Sequence, residues 1–268
     1  MEKKNKNLRN LFIWLVYSFL YLPIIILVIF SFNKSKMNIV FSGFTLDWYA
    51  KLFQNTDLLE AFGNTMLIAV LSTAISTIIG TMSAVALQKY NFPGKTLVNR
   101  LIYIPIVIPE IVLGISLLSV YTLVHLNLGI FSILLSHIAF SIPFVITSVR
   151  SNLSQLSSDY EEASYDLGAG KIRTFFSVTL PLITPGVISG ATLAFTLSLD
   201  DVVISYFTAG PGSNTLPLKI YSMIKTGITP DVNALSSLIL ITVIIVLIVP
   251  AYIQSKNIQK RSKSWKEK

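Results

Sequence analysis

The chain has 268 residues, 53% of them hydrophobic and 13% charged, with a mean hydropathy of +0.68 and a net charge of +8. Soluble domains carry roughly a quarter charged residues, so an ordinary aqueous core is excluded. The chain has no Cys, which excludes disulfides, thiolate nucleophiles and Cys-ligated metal sites. Beside apolar spans, the basic excess orients a membrane protein and calls for no nucleic-acid partner.

A crossing needs about 20 predominantly apolar residues. In chain order, spans are predicted at Leu11–Phe30, Thr65–Leu87, Leu101–Val124, Ile130–Val149, Pro185–Phe207 and Ala234–Ile253. The first is too long for a removable signal peptide and lacks its small-residue cleavage site, so it is read as retained. The second and fifth are rich in small residues. Ser72, Ser76, Gly80 and Ala84 recur every fourth position, as do Gly186, Gly190, Ala194 and Ser198. Such stripes let helix backbones approach closely in lipid, so both spans are expected to face other helices.

The organisation expected is a basic N-terminus (residues 1–10), an all-α six-helix membrane domain (11–253) and a basic tail (254–268). Sixteen Lys and Arg fall on the side of the termini and five on the other. The positive-inside bias therefore puts both termini in the cytoplasm. The external stretch Ser31–Asn64 carries Trp48 and Tyr49, an aromatic pair of the kind found at membrane interfaces.

The cytoplasmic loop over residues 150–184 has helix signals of its own. Ser158-Asp159-Tyr160-Glu161 has the form of a capping box, with Glu161 reaching back to the Ser158 backbone. Asp159, Glu161 and Glu162 complement the helix dipole. Gly168 and Gly170 are read as the stop, and a second short helix is predicted over Lys171–Val178, ending before Pro181. On these patterns alone a short helical hairpin off the membrane and a solvated connector are equally compatible.

Glu162-Ala163-Ser164, Gly168 and Val178-Thr179-Leu180-Pro181 resemble the E-A-A loop of ABC importer permeases of the MetI-like type, with Ser164 in place of the second Ala and Val178 in place of Ile. The loop lies between the fourth and fifth spans, where that family has it. The resemblance implies that Glu161, Glu162, Ala163 and Gly168 belong to a coupling helix docking on an ATPase. It implies further partners: a second, homologous permease chain, two copies of the ATPase, an extracytoplasmic binding protein, and the lipid bilayer of the cell membrane. No Walker A pattern is present, because Lys89 stands where the Gly before Gly94-Lys95-Thr96 would be. ATP and Mg are therefore expected on the partner ATPase, and this chain is expected to hold no cofactor and to be a transport subunit, not an enzyme.

An ionisable residue inside a span is a functional-site hypothesis by default. Glu110, Asp200 and Asp201 are such residues, and no span interior contains Lys or Arg. Read as a continuous helix, the third span puts Glu110 about 15 Å beyond Arg100, near the bilayer middle. Pro105 and Pro109 precede it and free backbone carbonyls. On the fifth span Ser198, Asp201 and Ser205 make one polar stripe, and Thr196 and Asp200 make its neighbour. Unpaired carboxylates suit a cationic solute such as a polyamine, although protonated carboxyls, or pairs with a basic group of the partner permease, fit the same pattern.

Pro109-Glu110-Ile111-Val112, Leu197–Val203 and Leu216–Met223 resemble the spermidine/putrescine permeases of that family, which usually have Asp at position 110. By that resemblance Trp48, Glu110, Ser198, Asp200 and Asp201 belong to the polyamine path. Trp48 either stacks on a cation or anchors the interface. Two other readings stand beside this one. A permease of the same fold could carry iron or an oxyanion, though an anion path should show basic residues. An intramembrane enzyme using Asp200 and Asp201 as an acid pair would require a helix break at that point. His137 is read as a neutral, hydrogen-bonded packing residue. The two histidines make no metal site.

Overall fold

The computed structural model describes residues 2–35, 40–226 and 230–241, and the described residues are mostly helical. The chain divides into two compact units. One comprises Met1–Leu59 with Met223–Lys268, and the other Glu60–Ser222.

In the first unit, α1 (Glu2–Phe30) is long and apolar, and none of its membrane-compatible stretch is buried. The turn after it is organised by Asn33, which is fully buried. Its amide donates to the Val40 carbonyl at 2.8 Å and accepts from the Ser42 N–H at 2.8 Å. The short helix α2 (Asp47–Leu52) turns Trp48 and Leu52 inward.

The second unit is the bundle. α3 runs unbroken over Thr56–Lys89, all but its first four residues in this unit. Next come α4 (Lys95–Ile102), α5 (Ile104–Val107) and α6 (Glu110–Leu123). After α7 (Ile130–Leu153) the cytoplasmic loop forms α8 (Asp159–Asp166). It is followed by α9 (Lys171–Thr174), a π-helical turn (Phe175–Thr179), α10 (Leu180–Leu199) and α11 (Val203–Thr208). α12 (Leu216–Thr226) runs across the boundary between the units, and α13 (Pro230–Ile241) belongs to the first unit.

All eight residues of the two small-residue stripes are buried. What they meet explains why they are small. A Cβ on Gly80 would stand 2.7 Å from the Val145 side chain, and one on Gly190 would stand 3.1 Å from the Val145 Cα. A Cβ on Gly186 would meet Asn152 at 2.8 Å. α7 is thus gripped between α3 and α10, with Val145, Ile146, Val149 and Ile183 at the centre of the apolar core. Close van der Waals packing of this kind substitutes for the hydrophobic drive that lipid removes.

Three sequence expectations need correction. The third span is not one helix: Lys95–Val107 and Glu110–Leu123 meet at 112°. The cause is Pro109, which forces Ile108 into an extended conformation (ψ 135°), as a following proline does. The fifth span is longer than predicted and also broken. It begins at Lys171, absorbs Pro181 just past the π turn and ends at Leu199; the chain then restarts at Val203. The second cytoplasmic helix is therefore the beginning of that span, not the second arm of a free hairpin. Among the described residues four helices are long and apolar enough to cross a membrane, or five if the bent pair is one crossing. The sixth predicted span, Ala234–Ile253, is seen only as far as Ile241, and the rest of it and the basic tail lie outside the described residues.

Candidate functional site

The interruption after Leu199 places two adjacent carboxylates in different surroundings. Asp200 ends α10 and is exposed. Asp201 is buried and turned back on the helix that follows. Its Oδ1 accepts the Ile204 N–H at 3.2 Å, and its Oδ2 accepts the Ser205 N–H and the Ser205 hydroxyl, each at 2.7 Å. First-turn N–H groups have no partner within a helix, and an Asp just before the turn supplies one.

The two carboxylates are not a shared-proton pair, although the break that such a pair required is present. Nor does Asp201 lack a basic partner. His137, from the middle of α7, stands with Nε2 3.3 Å from Asp201 Oδ2 and 3.2 Å from Ser205 Oγ. Its other nitrogen, Nδ1, lies 2.7 Å from Ser198 Oγ, which also accepts from Ser72 of α3 at 3.1 Å. Ser198, Asp201 and Ser205 do cluster, as their spacing predicts, but around an imidazole and not around open space.

Glu110, Asp200 and Asp201 line one cavity of about 530 Å³, walled by Pro105, Pro109, Phe140, Phe144 and Leu197 among others. None of its lining residues is basic. Glu110 opens α6 directly after the bend, so its carboxylate sits at a helix start that favours negative charge. α6 is held against α11 at Gly114, where a Cβ would come within 2.7 Å of the Phe207 ring. Ser132 at the start of α7 donates to the Thr208 carbonyl at 2.7 Å, fixing the far end of α11.

Trp48 belongs to the first unit and is 7% exposed. Its indole N–H donates to the Asn33 carbonyl at 2.6 Å, and Lys51 Nζ lies 4.5 Å from its ring centroid. The ring face that could take a cation already holds a lysine of this chain.

In the cytoplasmic loop, α8 ends on Gly168 at φ +81°. Ala169 N–H bonds the Ser164 carbonyl and Gly168 N–H the Tyr165 carbonyl, the paired closure of a Schellman motif. Gly168 is the stop the sequence predicts, whereas Gly170 has an ordinary φ of −76° and caps α9. The capping box does not form, because the Ser158 side chain makes no cap bond. Glu161 accepts instead from Lys89 Nζ at the end of α3 and from Thr179 Oγ1 at 2.5 Å. Burial pushes the Glu161 carboxyl up, but the hydrogen bonds from Lys89 and Thr179 and the Lys89 charge outweigh it and hold it below the usual carboxylate range. Ser164 reaches Thr174 at 3.0 Å, a bond that Ala at that position could not make. Glu162, Ala163 and Gly168 are exposed, with Leu167 between them 90% exposed. Lys89, Thr179 and His137 carry no local pattern that marks them, since their partners lie far away in sequence.

A family model described as "Binding-protein-dependent transport system inner membrane component" matches residues 76–264. The chain belongs to that family, a class of membrane transport components. It is 41% identical over 250 residues to the spermidine/putrescine transport system permease protein PotC of Haemophilus influenzae, covering 93% of this chain and 97% of that one. It is 44% identical over 241 residues to the protein of the same name from Escherichia coli K12, covering 90% and 91%. In fold it is similar to a bacterial ABC transporter for the import of alginate, with a TM-score of 0.71 at 16% identity, covering 95% and 96%. An inner-membrane permease working with a binding protein and an ATPase is what this membership means.

Proposed function

We propose that the chain is one of two homologous permease subunits of an ATP-driven importer, and that its cargo is a polyamine of the spermidine/putrescine class. The observation that carries this reading is the cavity in which Glu110 and Asp200 meet with no basic residue in the lining. Two separated carboxylates in a largely apolar wall attract a flexible polycation, whose ammonium groups can be met one at a time, and repel an anion. The names of the relatives point the same way.

Asp200 and Glu110 meet the cargo. Ser198 and Asp201 support the same path from behind, and Trp48 serves it by shaping the external loop. Exposed Glu162, Ala163 and Gly168 present the dock for the ATPase, while Glu161 fastens that dock to α3. Two ATPase copies, a polyamine-delivering binding protein and cytoplasmic termini complete the assembly, and the organisation into residues 1–10, 11–253 and 254–268 belongs to the same reading.

The test is ATP-dependent uptake of radiolabelled spermidine and putrescine by the complete complex. Glu110→Gln and Asp200→Asn are each expected to lower uptake at least about tenfold, the equivalent of about 1.4 kcal/mol, with assembly preserved. No uptake by the native complex removes the cargo assignment. Native uptake that neither substitution changes moves the path elsewhere.

A further inference from the structure

Resting on the reading of this cavity as a cation path, we infer that His137 is a positioning residue for it, holding Asp201 and thereby the break after Leu199 in the shape that presents Asp200 to the cavity. His137 is 1% exposed, yet both its ring nitrogens are engaged, each toward a different helical segment.

The direction of each hydrogen bond follows from which groups have protons to give. Ser205 gives its hydroxyl proton to Asp201 Oδ2, so it offers only lone pairs to the ring. An ionised Asp201 also only accepts. Nε2 therefore bears the hydrogen and donates toward both. Ser72 donates to Ser198 at 3.1 Å, sharing its proton with the Ala69 carbonyl at 3.3 Å, which leaves the Ser198 proton for Nδ1. One donor line then runs Ser72, Ser198, His137, Asp201, from α3 through α10 and α7 to the break. The assignment of the ring hydrogen comes from this network.

The line meets a physical need. A helix that stops inside a membrane leaves backbone groups unpaired, and Asp201 satisfies two of them. A buried carboxylate in turn requires donors. Apart from His137, the donors to Asp201 are the Ile204 and Ser205 N–H groups and the Ser205 hydroxyl, all of α11, the six-residue helix that it caps. Those bonds hold α11 to itself but tie the break to nothing else. His137 supplies the bond to the rest of the bundle. Asp200 is the adjacent residue, so its aim into the cavity depends on that bond.

The chain has no Cys, so Val203→Cys, in the cavity wall, is its single thiol, and peptide mass spectrometry reads it apart from any partner chain. In the assembled complex, His137→Ala is expected to change the labelling rate of this thiol by a trimethylammonium methanethiosulfonate about tenfold, a perturbation of about 1.4 kcal/mol. It should raise KM for spermidine similarly, with a smaller effect on maximal uptake. His137→Gln, whose amide can donate toward Asp201, should restore both. Ser198→Ala removes only the Nδ1 partner and should move labelling in the same direction by less; if His137→Ala does not assemble, that variant and the Gln variant decide. Unchanged labelling in His137→Ala, or in Ser198→Ala where only it assembles, overturns the proposal, as does a Gln variant no better than Ala. A native complex without polyamine uptake whose labelling still responds to His137 and is rescued by Gln overturns the cargo assignment alone and supports the positioning role.

Discussion

Glu161 shows how one side chain is diverted from the role its local sequence suggests. The capping pattern offers it the Ser158 backbone N–H, a bond to a neutral donor. Lys89 offers a charged donor at the end of another helix, and Thr179 adds a second, and charge-assisted bonds are roughly twice as strong as neutral ones. The pH dependence follows from the sign of the shift. The folded-state carboxyl titrates below its unfolded value, so the anchoring is fully present above the ordinary carboxylate range and is lost as pH falls through the depressed one. A spin label on Ser158→Cys is expected to be immobile throughout neutral pH and to loosen only in acid. In Glu161→Gln it should be loose at every pH. A label equally mobile in both proteins at neutral pH would show that the Lys89 pair does not hold the loop. Nothing near Glu161 announces Lys89, 72 residues away, so this part of the site was not legible in advance.

At the level of elements, the packing surfaces were legible and the bends were not. A stripe of Ser, Gly and Ala reports missing atoms, and missing atoms are what α7 needs around Val145. Gly80→Leu should therefore overpack the α3–α7 contact at a cost of about 1–3 kcal/mol, read as a lower melting temperature of the solubilised complex and reduced assembly. An unchanged melting temperature would mean that α3 and α7 do not depend on this approach. Hydropathy, by contrast, averages transfer free energy over about 20 residues and carries no direction, so it joined both broken spans into straight ones. The bend before Glu110 did leave a trace in Ile108, since a residue preceding proline is driven out of the helical region. The break after Leu199 left a weaker one. Two Asp side chains in a row compete for backbone N–H groups, and in the fold Asp201 takes two. The three spanning carboxylates were visible from their positions inside the predicted apolar spans. Their division into cavity-facing Glu110 and Asp200 and the inward-turned Asp201 needed His137, whose ring nitrogens find their partners on other helical segments.

For the molecule as a whole, the proposed ATPase dock and the cavity belong to one unit of the chain and to chemically different surfaces. The dock is exposed and acidic at Glu162, with apolar Leu167 standing clear of α8. Reversing the charge with Glu162→Arg is expected to weaken ATPase association about tenfold or more, as the loss of a charged interfacial contact does. Cationic labelling of Val203→Cys in the cavity should stay at its native rate. Retained ATPase binding and transport would remove Glu162 from the dock. The same substitution with altered cavity labelling would instead mean that the two surfaces are not separable.

α3 makes side-chain bonds at both ends of this arrangement. Ser72 begins the donor line to Asp201, Lys89 grips Glu161, and the 34-residue helix between Thr56 and Lys89 has no interruption. The two grips are separated by about 25 Å at about 1.5 Å of rise per residue. On either side of the cavity the chain is interrupted, by the bend before Glu110 and the gap after Leu199, while the α3 link to the cytoplasmic loop is continuous. If the loop couples to an ATPase as proposed, a stroke applied there has an unbroken helix to travel along, whereas the bends that would let the cavity change shape lie in its own walls.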